Sequence, residues 1–417
     1  MTRERTDRAF EATLGEWMAG VAPAAVPQQM LEVAFARSSS TQQSRIYPWH
    51  RIALRERSSH QPMRTAMVAG SALLVVALFI GLLGGGSGPG PGPSSTPTVT
   101  ASASPARSSS PAPSRGAVRP DASIGVSAAL ALATDGQLIW VLTATGQVVP
   151  IDPATNRAAT GVQLGARTDQ VQGIAADSNG VWATEWVTGR LYRIDPMTLK
   201  VVATIPAGIA PKGVIATGTD VWVADTHGGI VQRIDLEANK VGVAITVGPA
   251  APSGPNWLMS GLGSIWVGVP NSASVVRIDP VTNVIQATIA IPRSASPCGG
   301  IASAGGAVWI TSCDASTNIA RLDPSANTVA ALVHVPGNAH APAVIAGALW
   351  VSVATNPGTP GLIERIAPAT NTVDRELSPG AGFGGGGDIV VASGAVWVID
   401  VGHDRVLRFP LSAFPPG

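Results

Sequence analysis

Hydrophobic and polar residues alternate in short bursts along most of this chain, and one burst returns on a nearly fixed period. From residue 120 onward a Trp recurs at 140, 182, 222, 266, 309, 350 and 397, at intervals of 42, 40, 44, 43, 41 and 47. Its contexts are GQLIWVLT, GVWATE, DVWVAD, SIWVGV, AVWITS, ALWVSV and AVWVID. A second segment follows each and ends in a turn: VVPIDPATN, LYRIDPMTL, VQRIDLEAN, VVRIDPVTN, IARLDPSAN and IERIAPATN, then a degenerate VLRFP at 406–410. Next comes an alternating segment such as VVATI (201–205), and a short apolar stretch leads into the next Trp. Apolar/polar alternation bounded by Gly, Pro and Asn predicts strands. Four strands in a period of 40–50 is the sequence form of a β-propeller blade, which buries its faces only against its neighbours. The expected fold is therefore all-β, a seven-bladed propeller of four-stranded blades spanning 120–417. The last repeat lacks an outer strand. The segment Val118–Ser127 is expected to supply it, closing the ring and hiding both edges.

Position within the repeat assigns roles. The periodic Trp is expected as a plug between blades. Asp152, Asp195, Asp235, Asp279 and Asp323 start tight turns, their carboxylates accepting backbone N–H bonds. Arg193, Arg233, Arg277, Arg321 and Arg365 read as solvent-facing charge on the third strand.

Ahead of the repeat the pattern changes three times. Residues 1–64 carry Phe10, Leu14, Trp17, Met18 and Val21, then Met30, Leu31, Ala34 and Phe35, at helical spacing around a Pro23–Pro27 turn. Two short amphipathic helices are expected there, forming a cytoplasmic segment and a candidate docking site for a cytoplasmic partner. Residues 65–83 are uncharged and mostly apolar, long enough for a helix to cross a bilayer core. The preceding residues hold Arg45, Arg51, Arg55, Arg57 and Arg64 against Glu56 alone. The positive-inside rule then predicts a single-pass anchor (65–84) in the cell membrane, N-terminus cytoplasmic and propeller extracytoplasmic. A signal peptide starting at Met63 is the alternative. The long leader and the missing small-x-small site favour the uncleaved anchor. Residues 85–119, made of Gly, Pro, Ser, Thr, Ala and Val with three Arg, read as a disordered linker.

Composition narrows this picture. Charged residues are 13% of the chain, which excludes a coiled coil, and a net charge of +1 offers no field for nucleic acid. Two cysteines exclude a disulfide scaffold or a multi-Cys zinc site. Both lie in CGGIASAGGAVWITSC. A two-residue turn at Gly305-Gly306 sets Cys298 opposite Cys313, so a disulfide is expected in the oxidising space outside the membrane.

Candidate chemistry sits on one face. The second-to-third-strand loops and the blade-to-blade loops share a face of the ring, where propellers usually bind. Three residues after the Trp stand Glu185, Asp225 and Asp400, in blades 2, 3 and 7. These carboxylates are the candidate ligands for magnesium or calcium. Trp186 and Trp257, off the repeat register, are candidate stacking surfaces. His227 and His403 join Asp225 and Asp400 as candidate ligand-binding residues.

The repeat resembles the propeller superfamily of streptogramin (virginiamycin B) lyases, gluconolactonase-like proteins and YVTN-type surface repeats, over 120–417. In streptogramin lyases a catalytic Glu lies three residues after the Trp, and Trp182-Ala183-Thr184-Glu185 matches that offset. The lyase also uses an inter-blade His with magnesium. His340, in GNAHAPA, is the inter-blade His here, so the resemblance implies Glu185 and His340 as catalytic candidates. Three functions stand: a membrane-anchored propeller binding a small molecule, glycan or protein at the cell surface; a magnesium-dependent C–O lyase or metal-dependent lactone hydrolase; and a sensor signalling through 1–64, whose layout resembles membrane-anchored anti-sigma-type sensors. The first is favoured.

Overall fold

Each Trp segment becomes the second strand of a four-stranded antiparallel sheet. In the computed structural model, which describes residues 112–165, 170–312, 317–355 and 359–416, seven such sheets form a propeller. Blade 2 runs Val171–Asp177, Gly180–Glu185, Arg190–Asp195 and Lys200–Pro206 from first strand to fourth. Blade 3 repeats this with Pro211–Ala216, Val221–Asp225, Ile230–Asp235 and Lys240–Thr246. The first strands contact one another in turn right round the ring, from Ala129–Thr134 of blade 1 to Ile389–Ala392 of blade 7 and back. They are therefore the innermost strands. The chain divides into two compact units, Met1–Ser102 and Ala103–Gly417, and the propeller belongs to the second. The readings of 1–64 as helices and of 65–84 as an anchor fall outside the described residues. No helix among the described residues is long and apolar enough to cross a membrane.

The seven periodic Trp side chains are fully buried. Each joins apolar residues of an adjacent blade, as Trp182 does with Val221 and Val223, and Trp222 with Val267 and Val276. A buried indole removes about 150–250 Å² from water, so these plugs dominate blade-to-blade cohesion. The Asp turns form as their composition dictates. Asp195 Oδ1 accepts the N–H groups of Met197 and Thr198, and Asp279 Oδ1 those of Val281 and Thr282. Backbone hydrogen bonds hold both carboxyls below their ordinary value.

The third-strand arginines are not plain surface charge. Arg193, Arg233, Arg277, Arg321 and Arg365 lie 5.1–6.0 Å over the rings of Trp182, Trp222, Trp266, Trp309 and Trp350. Arg193 Nη1 donates to the carbonyl of Leu236 (3.0 Å) and to Asn239 Oδ1 (2.9 Å), in the Asp turn of the next blade. Arg277 does the same to Pro324, at 2.7 Å. Arg193, Arg233, Arg277 and Arg365 both cap their indoles and bond a carbonyl beyond their own blade, because a guanidinium is flat enough to stack and long enough to reach; Arg321 caps Trp309 without such a bond among the described residues. Blade 1 has Pro150 opposite Trp140 and lacks the tie.

Two strands from the N-terminal segment complete the ring. Ala122–Gly125 pairs antiparallel with Arg405–Pro410 and supplies the fourth strand of blade 7. The linker read over 85–119 ends early: Ser114–Ala117 forms a strand, parallel to Thr372–Ser378 at the outer edge of blade 6. That edge offers free backbone groups, Arg115 meets Glu376 at 2.7 Å, and Val118 is buried beside Leu377.

Candidate functional site

The three candidate rim carboxylates are buried, each about 1% exposed. Glu185 closes the second strand of blade 2, and its Oε2 accepts the Tyr192 hydroxyl at 2.9 Å. Burial is the main cause of the raised Tyr192 phenol pKa, which keeps that donor protonated. Asp225 accepts the N–H groups of Ile209 (2.9 Å), Ala210 (2.8 Å) and Gly228 (3.1 Å). The sequence folds this way because Gly208 and Gly228 make room: a Cβ on either would lie 2.1–2.2 Å from Asp225 Oδ2. Asp400 takes Arg405 Nε at 2.7 Å, Gly384 N–H at 2.8 Å and His403 Nδ1 at 3.1 Å. Asp225 and Asp400 cap loop backbone, whereas Glu185 ties the second strand to Tyr192 of the third. Among the described residues no group of three His, Cys, Asp or Glu side chains gathers as metal ligands would. The three carboxylates are not brought together.

His340 lies in a strand, not in a loop. It belongs to the innermost strand of blade 6, Asn338–Ile345, opposite Ser352, at a register shift between His340 and Ala343. Burial pulls its pKa below the ordinary value. Trp257 is a packing residue whose Nε1 donates to the Cys298 carbonyl at 2.7 Å. Cys298 is disulfide-bonded, and Cys313 lies outside the described residues. The strand register beside it sets Gly300 opposite Thr311 and Ala304 opposite Ala307, around a Gly305-Gly306 turn with both residues at positive φ.

Trp186 and His227 do come together. Trp186 opens the second-to-third-strand loop of blade 2, where its N–H donates to the Gln170 carbonyl at 2.8 Å. His227 occupies the corresponding loop of blade 3. The two rings meet edge-to-face with centroids 6.4 Å apart. A third residue joins them: Lys212 Nζ lies 5.9 Å from the centroid of the Trp186 ring. Lys212 sits on the innermost strand of blade 3, and burial lowers the pKa of its ammonium. All three side chains are half-buried.

Reading the sequence segment by segment missed Lys212, Glu364 and Asp388. Asp388 accepts the Leu132 N–H across the blade 7–blade 1 seam at 3.0 Å, and burial pushes its carboxyl up to about 6. Glu364 is fully buried in the third strand of blade 6, and neither of its oxygens has a hydrogen-bond partner. Burial, with the charge of Glu376 opposite, pushes it up to about 8. The signal for each is its column in the repeat. Glu364 precedes the third-strand Arg, where blades 4 and 5 carry Val276 and Ala320. Asp388 stands nine residues before its Trp, where blades 2, 3 and 5 carry Gly173, Gly213 and Gly300.

No family model matches the chain, and no curated protein matches it. Solved structures do. A streptogramin B lyase structure is similar at TM-score 0.54 and 17% identity, covering 68% of this chain and 93% of that one. A hydrazine synthase from Kuenenia stuttgartiensis is similar at TM-score 0.57 and 13% identity, covering 70% and 97%. A chain of a mitotic checkpoint complex is similar at TM-score 0.57 and 10% identity, covering 76% and 98%. Names so unlike one another, at such identity, carry the propeller fold and no activity.

Proposed function

We propose that the propeller is a binding module, tethered outside a membrane by the apolar run at 65–83, and that its ligand sits on the loop face between blades 2 and 3. One observation carries the site. Among the described residues Glu185, Asp225 and Asp400 are committed to Tyr192, backbone amides and Arg405, whereas Trp186, Lys212 and His227 are half-buried and bring an indole, an amine and an imidazole together. A general base or metal ligand needs free lone pairs aimed at substrate. A binding surface needs a flat apolar plane and a few convergent polar groups. The arrangement suits the second task. The arginine cluster before residue 65 supports the N-in orientation, and the disulfide at Cys298 suits an oxidising compartment.

Two measurements test this. A reporter fused at residue 2 should be active only in cytoplasm-specific form and one at residue 417 only in exported form; the reverse pattern removes the membrane assignment. Incubated with a streptogramin B antibiotic and magnesium, the full-length chain should leave the antibiotic intact. Magnesium-dependent loss of the antibiotic, abolished by Glu185→Gln, would establish a lyase instead.

A further inference from the structure

We infer that the Trp186–Lys212–His227 cluster holds a small amphipathic anion, a carboxylate on a flat apolar body, with Lys212 as its counter-charge. This rests on the loop-face reading above and gives that ligand a charge and a shape.

The first ground is the placement of the amine. The chain has three lysines, and Lys200 and Lys240 are exposed at the starts of outermost strands. Lys212 alone is on an innermost strand, ten residues before its Trp, where blades 2, 4 and 6 carry Gln172, Asn256 and His340. The second ground is its missing partner. Partly buried charges are normally paired, yet among the described residues no carboxylate is shown bonded to Lys212. At the loop end of this seam, Glu185 is held by Tyr192 and Asp225 by three amide N–H groups. The shift of the Lys212 amine agrees, since burial alone lowers it.

The third ground is the flat wall. The Trp186 indole lies 5.9 Å from Lys212 Nζ and 6.4 Å from the His227 ring at nearly a right angle, and Val187 beside it is 50% exposed. A cationic ligand would be repelled by Lys212, and a neutral one would bury the amine without pairing it. A carboxylate supplies the charge-assisted hydrogen bond that the site lacks, while a planar apolar body covers the indole.

Amine labelling tests the proposal on the full-length chain, because Lys200 and Lys240 serve as internal references. The chain is treated with an acetylating reagent, with 1-naphthoate or the neutral 1-naphthamide as probe, and each lysine is quantified by peptide mass. 1-Naphthoate should slow labelling of Lys212 alone, by about tenfold where the probe is at roughly ten times its Kd. 1-Naphthamide should not, and Trp186→Ala should remove the protection. Equal protection by both probes would overturn the anionic preference while leaving a loop-face site. Absence of protection by either probe, or protection unchanged in Trp186→Ala, would overturn the cluster as a binding site and the loop-face reading with it.

Discussion

Blades 3 and 6 are copies of one plan that diverge at matching places. Both stack a third-strand arginine on the plug Trp, Arg233 on Trp222 and Arg365 on Trp350, at 5.6 and 6.0 Å. Both pin that arginine with an aspartate of the same blade, Asp220 and Asp374. One residue earlier the plans part. Gln232 of blade 3 lies opposite Val223 and Ala244; Glu364 of blade 6 lies opposite Val351 and Glu376. At the innermost strand Lys212 matches His340. At the outer edge blade 6 accepts Ser114–Ala117 and, with Arg115, Gly116, Leu362, Glu376 and Ser378, lines a cavity of about 280 Å³. Where a repeat keeps a residue in every copy, the copies share a mechanical task. Where one copy breaks the column with an ionisable group, the cost of burying that group has to be met locally, and in blade 6 burial raises the Glu364 carboxyl to about 8, favouring its protonated form.

The sharpest way to break this comparison is Glu364→Gln, which makes blade 6 resemble blade 3. Below about pH 4.5 Glu364 is protonated both folded and unfolded. Between there and about 8 the unfolded chain has released a proton that the folded chain retains, so stability falls with rising pH, by at most about 1.4 kcal/mol per unit. Urea unfolding followed by Trp fluorescence should find parent and variant alike near pH 4. The variant should be more stable by a few kcal/mol near pH 9. Parallel pH profiles would mean that Glu364 is ionised in the folded protein.

The shared half of the plan is tested by Arg233→Ala and Arg365→Ala. Each loses one indole cap, one ion pair with Asp220 or Asp374, and one tie to the following chain, Pro280 or Pro415. Each should cost about 1–3 kcal/mol, and the two should agree. A loss below roughly 0.5 kcal/mol would return these arginines to ordinary surface charge.

The smallest effect concerns His340. Burial lowers its pKa, so the folded ring stays neutral to lower pH than a free histidine. Stability it contributes is present above the ordinary His value and declines as pH falls through it. Imidazole NMR shifts should titrate below 6.5 for His340, while His340→Asn should lose that part of the acid-side decline. A midpoint above 6.5 would place a carboxylate beside the ring.

Much of the site's framework was legible from residue spacing, and the reason differs by residue. Trp186 was legible because an off-register aromatic breaks a strict column, and His227 because it stands in the equivalent loop one blade on. Lys212 was not, because its strand reads only as a short apolar lead-in to the Trp segment. Its proximity to Trp186 comes from the innermost strand of blade 3 lying beside the second-to-third-strand loop of blade 2. Glu185, Asp225 and Asp400 stood out by their offset from the Trp, but their burial was not legible. A carboxylate three residues past a buried Trp reads as polar and outward, but the amides of neighbouring loops fold over Asp225 and Asp400, and Tyr192 closes on Glu185.

Sequence by itself determined the repeat, the number of blades, the turn chemistry of the Asp segments and the need for a strand from the N-terminal side, because each follows from local periodicity and from the cost of an open edge. Tertiary structure alone decided which arginines clamp the seams, which carboxylates are consumed, that Ser114–Ala117 takes the edge of blade 6, and that Lys212 meets Trp186 and His227. Those outcomes depend on which side chains face one another across separate blades, and the pattern along a single strand does not encode that.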